Sequence, residues 1–282
     1  MEFKNYHPFI NLIYFICAIW FTLWFNEPAL VAISAFCAFW YSVRAVGIKA
    51  LRFNLCLMPF VVIGTLGFIW FNHFGVTVLG HNSSGNSITL EALALGFVYC
   101  IIIYALVMWI ECIFAVITSD KLVYLFGRIS PKLSLYFSIT LRIFPEILGQ
   151  WRKIGLARRG LTKSAWPLDL LKRLSACITW SIDRIMSSTV SMKSRGYTLK
   201  GRTAYSLYRF DNRDRILVVF VFFCLTIIFA GAALGTNWIL YDPEIVMGKR
   251  TPVSIAVYVS YFIFLTMPIW LERAIYEGNR NR

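Results

Sequence analysis

Two places in this 282-residue sequence combine charge with a special backbone residue at a repeated spacing: Arg158-Arg159-Gly160 and Ser194-Arg195-Gly196. Each follows a run of helical periodicity. The arginine therefore falls at the end of a helix, where a cation answers the negative end of the macrodipole and glycine supplies the left-handed residue that stops the turn. The same guanidinium can present a planar fork of donors to a carboxylate or phosphate on another molecule. Capping alone explains one such pair; two equivalent copies, with thirty-five residues between the glycines, point to paired contacts with partners.

Other candidate chemistry is sparse. No G-x-x-x-x-G-K-[ST] loop occurs, so any ATP-driven work falls to a partner, and there is no H-E-x-x-H, no G-x-S-x-G elbow and no carboxylate cluster for Mg²⁺. Glu111 lies within an apolar stretch, where a carboxylate is a functional hypothesis by default, yet its place toward one end also suits snorkelling or pairing with a basic residue. His73 and His81 are too isolated to propose a metal site. The seven cysteines are odd in number, scattered and without C-x-x-C, and imply neither a disulfide framework nor zinc. Asp183 and Arg184 read as a solvated helix face.

The element that carries the second Arg-Gly is the better punctuated. Leu168, Leu171, Leu174, Ile178, Ile182, Ile185, Thr189 and Met192 recur at steps of three or four and predict one stripe of a helix that buries that face. Asp169, Lys172, Arg173 and Lys193 lie off the stripe, Pro167 suits a first turn and Gly196 a helix end. The first helix repeats the pattern with Phe137, Leu141, Phe144, Leu148, Trp151 and Ile154, closed by Gly160, with Arg142, Glu146, Arg152 and Lys153 off the stripe. Pro145 predicts a kink or restart within it. Some thirty residues at about 1.5 Å each make an element on the order of 45 Å long.

Composition places these helices beside a membrane. The chain is 59% hydrophobic and 17% aromatic, with a mean hydropathy of +0.65, far too apolar for a soluble domain. Its net charge of +14 is concentrated: residues 120–215 hold nineteen Lys or Arg against six Asp or Glu. Such a segment between spans reads as cytoplasmic rather than as a nucleic-acid surface. Apolar spans are predicted over 8–25, 29–43, 53–71, 89–118, 216–234 and 253–271. Arg44, Lys49 and Arg52 mark a cytoplasmic loop, and the Lys- and Arg-free loop 72–87 lies outside. The fold class is an all-α integral membrane protein of about six transmembrane helices, with both termini cytoplasmic. It divides into helices 1 to 4 (1–118), a basic region of long amphipathic helices (119–215), and helices 5 and 6 with a tail (216–282).

The text around the two motifs carries a resemblance. Phe144-Pro145-Glu146 precedes Ile154-Gly155-Leu156-Ala157-Arg158-Arg159-Gly160, and Ser191-Met192-Lys193-Ser194-Arg195-Gly196-Tyr197 is followed by Gly201-Arg202-Thr203. Across essentially its whole length the chain resembles the transmembrane T component of energy-coupling factor transporters. That family includes the CbiQ-like cobalt and nickel proteins and the shared vitamin-uptake subunits. The resemblance implies two crossed coupling helices whose Ala-Arg-Gly-like ends dock in grooves of two ABC-type ATPases. Arg159 and Arg195, with Gly160 and Gly196, stand at the motif positions. Arg158 occupies the place of a small residue, so either of two adjacent arginines is available to a groove, and Ser194 replaces alanine.

The resemblance further implies a non-catalytic subunit of the prokaryotic cytoplasmic membrane that binds no cofactor itself. ATP and Mg would be bound by the ATPases, and a membrane-embedded substrate-binding S component would carry a vitamin or a transition-metal ion. Two other classes are weighed against it. A membrane enzyme acting on a lipid phosphate needs a nucleophile or metal cluster that is not evident, and a self-contained secondary transporter needs an intramembrane polar pathway for which Glu111 alone is thin support.

Overall fold

In the computed structural model, residues 3–81, 87–161, 166–197, 208, 210–248 and 250–280 are described. They form two compact units, one of residues 1–118 with 208–282 and one of residues 119–207.

The first unit holds α1 (Pro8–Trp24), α2 (Pro28–Val46), α3 (Ile48–Phe71), α4 (Leu90–Val116), α8 (Asn212–Ala233) and α9 (Pro252–Arg280). The second holds α5 (Ser119–Ile129), α6 (Pro131–Leu161) and α7 (Trp166–Ser194). Five helices of the first unit, α2, α3, α4, α8 and α9, are long and apolar enough to cross a membrane. The sixth predicted span, α1, has 17 residues, about 25 Å of rise against a hydrocarbon core of about 30 Å. The chain is an all-α multi-pass membrane protein, with two short hairpins joining helices of the first unit: β1 (Val78–His81) with β2 (Ser87–Thr89), and β3 (Ile239–Leu240) with β4 (Val246–Met247).

Helical spans suit lipid because they satisfy backbone donors and acceptors internally. Prolines start α1, α2 and α9 where no intrahelical donor is lost. A reciprocal cap starts α8, with the Asp211 amide donating to Asp214 Oδ2 at 3.1 Å. One expected loop is much shorter than its charges imply. Gly47, at φ 86°, ends α2 and begins α3, so Arg44 sits in the last turn of α2 while Lys49 and Arg52 belong to α3. A residue without a Cβ can take that conformation and reverse the chain at once.

The core of this unit is aromatic. Tyr14, Phe15, Tyr41, Trp109, Tyr261 and Phe264 are all within 1% of full burial, and Tyr14 sits edge-on to Trp109 and tilted against Phe264. Two of the polar ends are satisfied internally: Tyr14 Oη donates to the Leu265 carbonyl at 2.8 Å, and Trp109 Nε1 to Ser34 Oγ at 3.1 Å. Ser34 shares a further 2.6 Å bond with Thr22 Oγ1. Outward, Phe60, Val62, Ile63, Leu66, Trp70 and Phe71 leave α3 exposed and apolar, as a lipid-facing helix is.

The approach of α8 to α9 depends on Gly231, where a Cβ would overlap Val257 Cγ2; Gly67 has no atom within 4 Å of the same position. Gly231→Ala is expected to cost about 1–3 kcal/mol, because a stiff β-branched neighbour must shift. Gly67→Ala should be neutral. Thermal midpoints in detergent check this, and equal midpoints for the two variants would contradict the packing.

Candidate functional site

The two Arg-Gly ends belong to the second unit, and its geometry begins with how α6 and α7 pair. Arg158 Nε contacts Asp169 Oδ1 at 2.8 Å, and Arg173 Nη2 contacts the other oxygen at 2.6 Å, all three side chains being 19–24% exposed. The Arg173 guanidinium lies over Gly155, which leaves room for it. Further along, Arg184 Nε donates to Glu146 Oε2 at 2.9 Å, and Arg142 stands 3.9 Å from the other carboxylate oxygen. Partners on α6 fall in number as those on α7 rise, so the helices form an antiparallel hairpin clasped by two carboxylates. Arg184 lies on an exposed face, as expected, and is also half of the second clasp. A short α5 completes the unit, with Phe126 stacked on Phe137 of α6 at 4.2 Å and Ser134 Oγ donating to the Val123 carbonyl.

This arrangement places the two motifs at opposite ends of α7, whose 29 residues span about 44 Å. At the far end, Gly196 has φ 78°. Its amide donates to the Lys193 carbonyl at 3.0 Å and the Tyr197 amide to that of Met192 at 3.2 Å. That pair of bonds is a Schellman termination. Arg195 is exposed, and its guanidinium has no counter-ion among the described residues. At the near end α6 continues through Gly160 to Leu161, and the Arg159 side chain lies outside the described part of the structure. Gly201, Arg202 and Thr203 also lie outside the described residues. Arg158 is the arginine held by Asp169. Pro145 sits inside α6 without breaking it, although it removes the donor that the Leu141 carbonyl would otherwise meet.

The apolar stripe of α7 differs from expectation. Leu168, Leu171, Leu174, Ile178, Ile182 and Ile185 are 45–63% exposed. Within the second unit, α5 and α6 supply no layer over that face, so the periodicity marks an amphipathic helix whose apolar stripe its own unit leaves open. On α6 the stripe is mixed: Trp151 and Ile154 are half-buried, whereas Phe144 and Leu148 are exposed.

Glu111 of α4 accepts a 2.6 Å bond from Ser42 Oγ of α2, which in turn accepts one from Asn54 Nδ2 of α3 at 3.1 Å. The carboxylate thus ties three spans together instead of meeting the basic partner considered from sequence. Sequence reasoning passed over Glu91. It is buried in the first turn of α4 and accepts from the Thr77 hydroxyl at 2.7 Å and the Thr77 amide, which anchors the loop before β1. Its place in a first helical turn was the available signal. Among the described residues no group of His, Cys, Asp or Glu could hold a metal ion.

No protein-family model matches the chain, and a search of curated proteins finds no match.

Both clasps lower a carboxyl's pKa. Hydrogen bonding from Arg158 holds Asp169 below its ordinary value of 3.8, and that from Arg184 holds Glu146 below its ordinary 4.5. A lowered folded value means that the contribution is fully present above the ordinary value and fades as pH falls through the lowered one. A carbon-13 titration of Asp169 should therefore give a midpoint below 3.8, moving back toward it in Arg158→Gln. An unchanged midpoint in that variant would remove Arg158 from the clasp. In the membrane unit, Ser42→Ala strands the Glu111 oxygen and the Asn54 donor. It should lower stability by about 1–3 kcal/mol, seen as a depressed thermal midpoint that Ser42→Thr largely restores.

Proposed function

We propose that this chain is the transmembrane coupling subunit of an energy-coupling-factor-type importer. It transmits the movement of two partner ATPases to a separate substrate-binding membrane subunit that takes up a vitamin or a transition-metal ion. The observation that carries this reading is a 29-residue helix with an Arg-Gly end at each extremity of its hairpin and an uncovered apolar stripe between them. Cations about 44 Å apart can engage two bodies at once, and the stripe offers those bodies' movement a surface on which to act.

In this reading ATP and Mg reside on the ATPases, and this chain performs no catalysis. Arg195 enters one ATPase groove and meets a carboxylate there, where a desolvated charge is costly to leave unpaired. At the other end Arg159 is assigned the groove, because Asp169 already engages Arg158 at 2.8 Å. The S component covers the Leu and Ile stripe of α7. The basic segment and both termini face the cytoplasm of a prokaryote, as the placement of Lys and Arg favours.

Co-purification with the candidate ATPases tests the proposal. Arg159→Ala and Arg195→Ala should leave expression and membrane insertion near wild type while weakening ATPase association by about 2 kcal/mol or more, roughly thirtyfold, with the double variant worse than either. Gly196→Ala should act otherwise, costing about 1 kcal/mol at the helix end itself. Wild-type assembly and transport in both arginine variants, beside failure of the glycine variant, would leave the arginines as caps and refute the docking role.

A further inference from the structure

A cleft of about 560 Å³ opens in the second unit between α5, α6 and the last turns of α7, a volume in the range of small-ligand sites. We propose that it binds the phosphodiester headgroup of an anionic phospholipid, a site that shares Arg195 with the docking role above but does not rest on it. Three guanidiniums line it, those of Arg142, Arg184 and Arg195, against the single carboxylate of Glu146. Glu146 answers Arg184 at 2.9 Å and Arg142 only at 3.9 Å, and Arg195 has no counter-ion among the described residues. The cleft therefore carries excess positive charge with donors in fork geometry, the arrangement that suits phosphate oxygens.

Hydroxyls add to it. On these helices Thr140, Ser181, Thr189 and Ser194 return their hydroxyl to a backbone carbonyl of their own helix, the ordinary fate of such a group. Ser138, Ser188 and Ser191, which line the cleft, make no side-chain hydrogen bond to any described residue. Three donors are thus left for a ligand beside the arginines.

Val123, Leu135, Ile139, Ile143 and Met192 supply the apolar part of the lining. An inorganic anion or an acidic side chain gains little from such a lining, whereas an amphiphile places its phosphate among the guanidiniums and its glycerol and first methylenes over the Val, Leu and Ile.

The test uses the full-length protein in phosphatidylcholine nanodiscs with a fluorescent phosphatidylglycerol as probe. Arg142→Glu reverses a charge inside the cleft, while Arg152→Glu makes the same charge change on an exposed position of α6 outside it. Arg195 is left intact so that ATPase association is read separately. The expected result is at least a tenfold weaker phosphatidylglycerol affinity in the cleft variant than in Arg152→Glu, with unchanged melting. Equal losses in the two variants would reduce the binding to a diffuse basic surface and overturn the site. Displacement of the probe by millimolar inorganic phosphate would reassign the cleft to a soluble anion and overturn the lipid. Loss of ATPase association in the cleft variant with lipid affinity intact would make it a protein dock and overturn the proposal as well.

Discussion

The second unit depends on one carboxylate. Asp169 takes Arg158 from α6 on one oxygen and Arg173 from its own helix on the other. That arrangement fixes how α6 and α7 pair and, through it, the direction in which α7 runs along α6. With Glu146 and Arg184 closing the same pair of helices further along, the antiparallel order is specified twice. Exposed single ion pairs contribute little to stability. These are more useful as register marks, because a one-turn slip of α7 against α6 would separate both sets of partners at once. The ends of α7 are where they are because the clasps hold them there.

The membrane unit solves a different problem. Its interior is largely aromatic, and several of the polar groups inside answer one another in short chains across helices. Thr22, Ser34 and Trp109 make one; Asn54, Ser42 and Glu111 make another. Glu111 is the instructive case. Read alone, an intramembrane carboxylate suggests ion coupling; read with Ser42 and Asn54, it fastens α2, α3 and α4 together.

What was legible in the sequence was whatever depends on neighbours along the chain. Helix periods, the proline starts and the left-handed Gly196 are local, and they fall where composition places them. The Asp169–Arg173 pair, at i and i+4, was equally within reach. Arg158 with Asp169 and Glu146 with Arg184 were not, because eleven and thirty-eight residues separate the partners and only the hairpin brings them together. Periodicity also says that a face is apolar without saying what lies over it. That is why the α7 stripe, expected to be buried, stands open. The short α5 escaped notice for the reason that a basic, 11-residue element gives too few turns for a stripe to declare itself.

These separate facts bear on one another at the arginines. A helix end needs its last carbonyls satisfied, and an arginine is often recruited for that purpose. At the end of α7 the backbone does the work: the amides of Gly196 and Tyr197 take the carbonyls of Lys193 and Met192, so the helix stops without help from a side chain. The guanidinium of Arg195 is thereby left over, charged and exposed. At the other motif the division falls between neighbours, with Arg158 committed to Asp169 and Arg159 next to it in sequence. At the end of α7 the backbone secures the fold and the guanidinium is released from doing so, and a charge that the fold does not consume is the kind of group through which a subunit is able to grip something else.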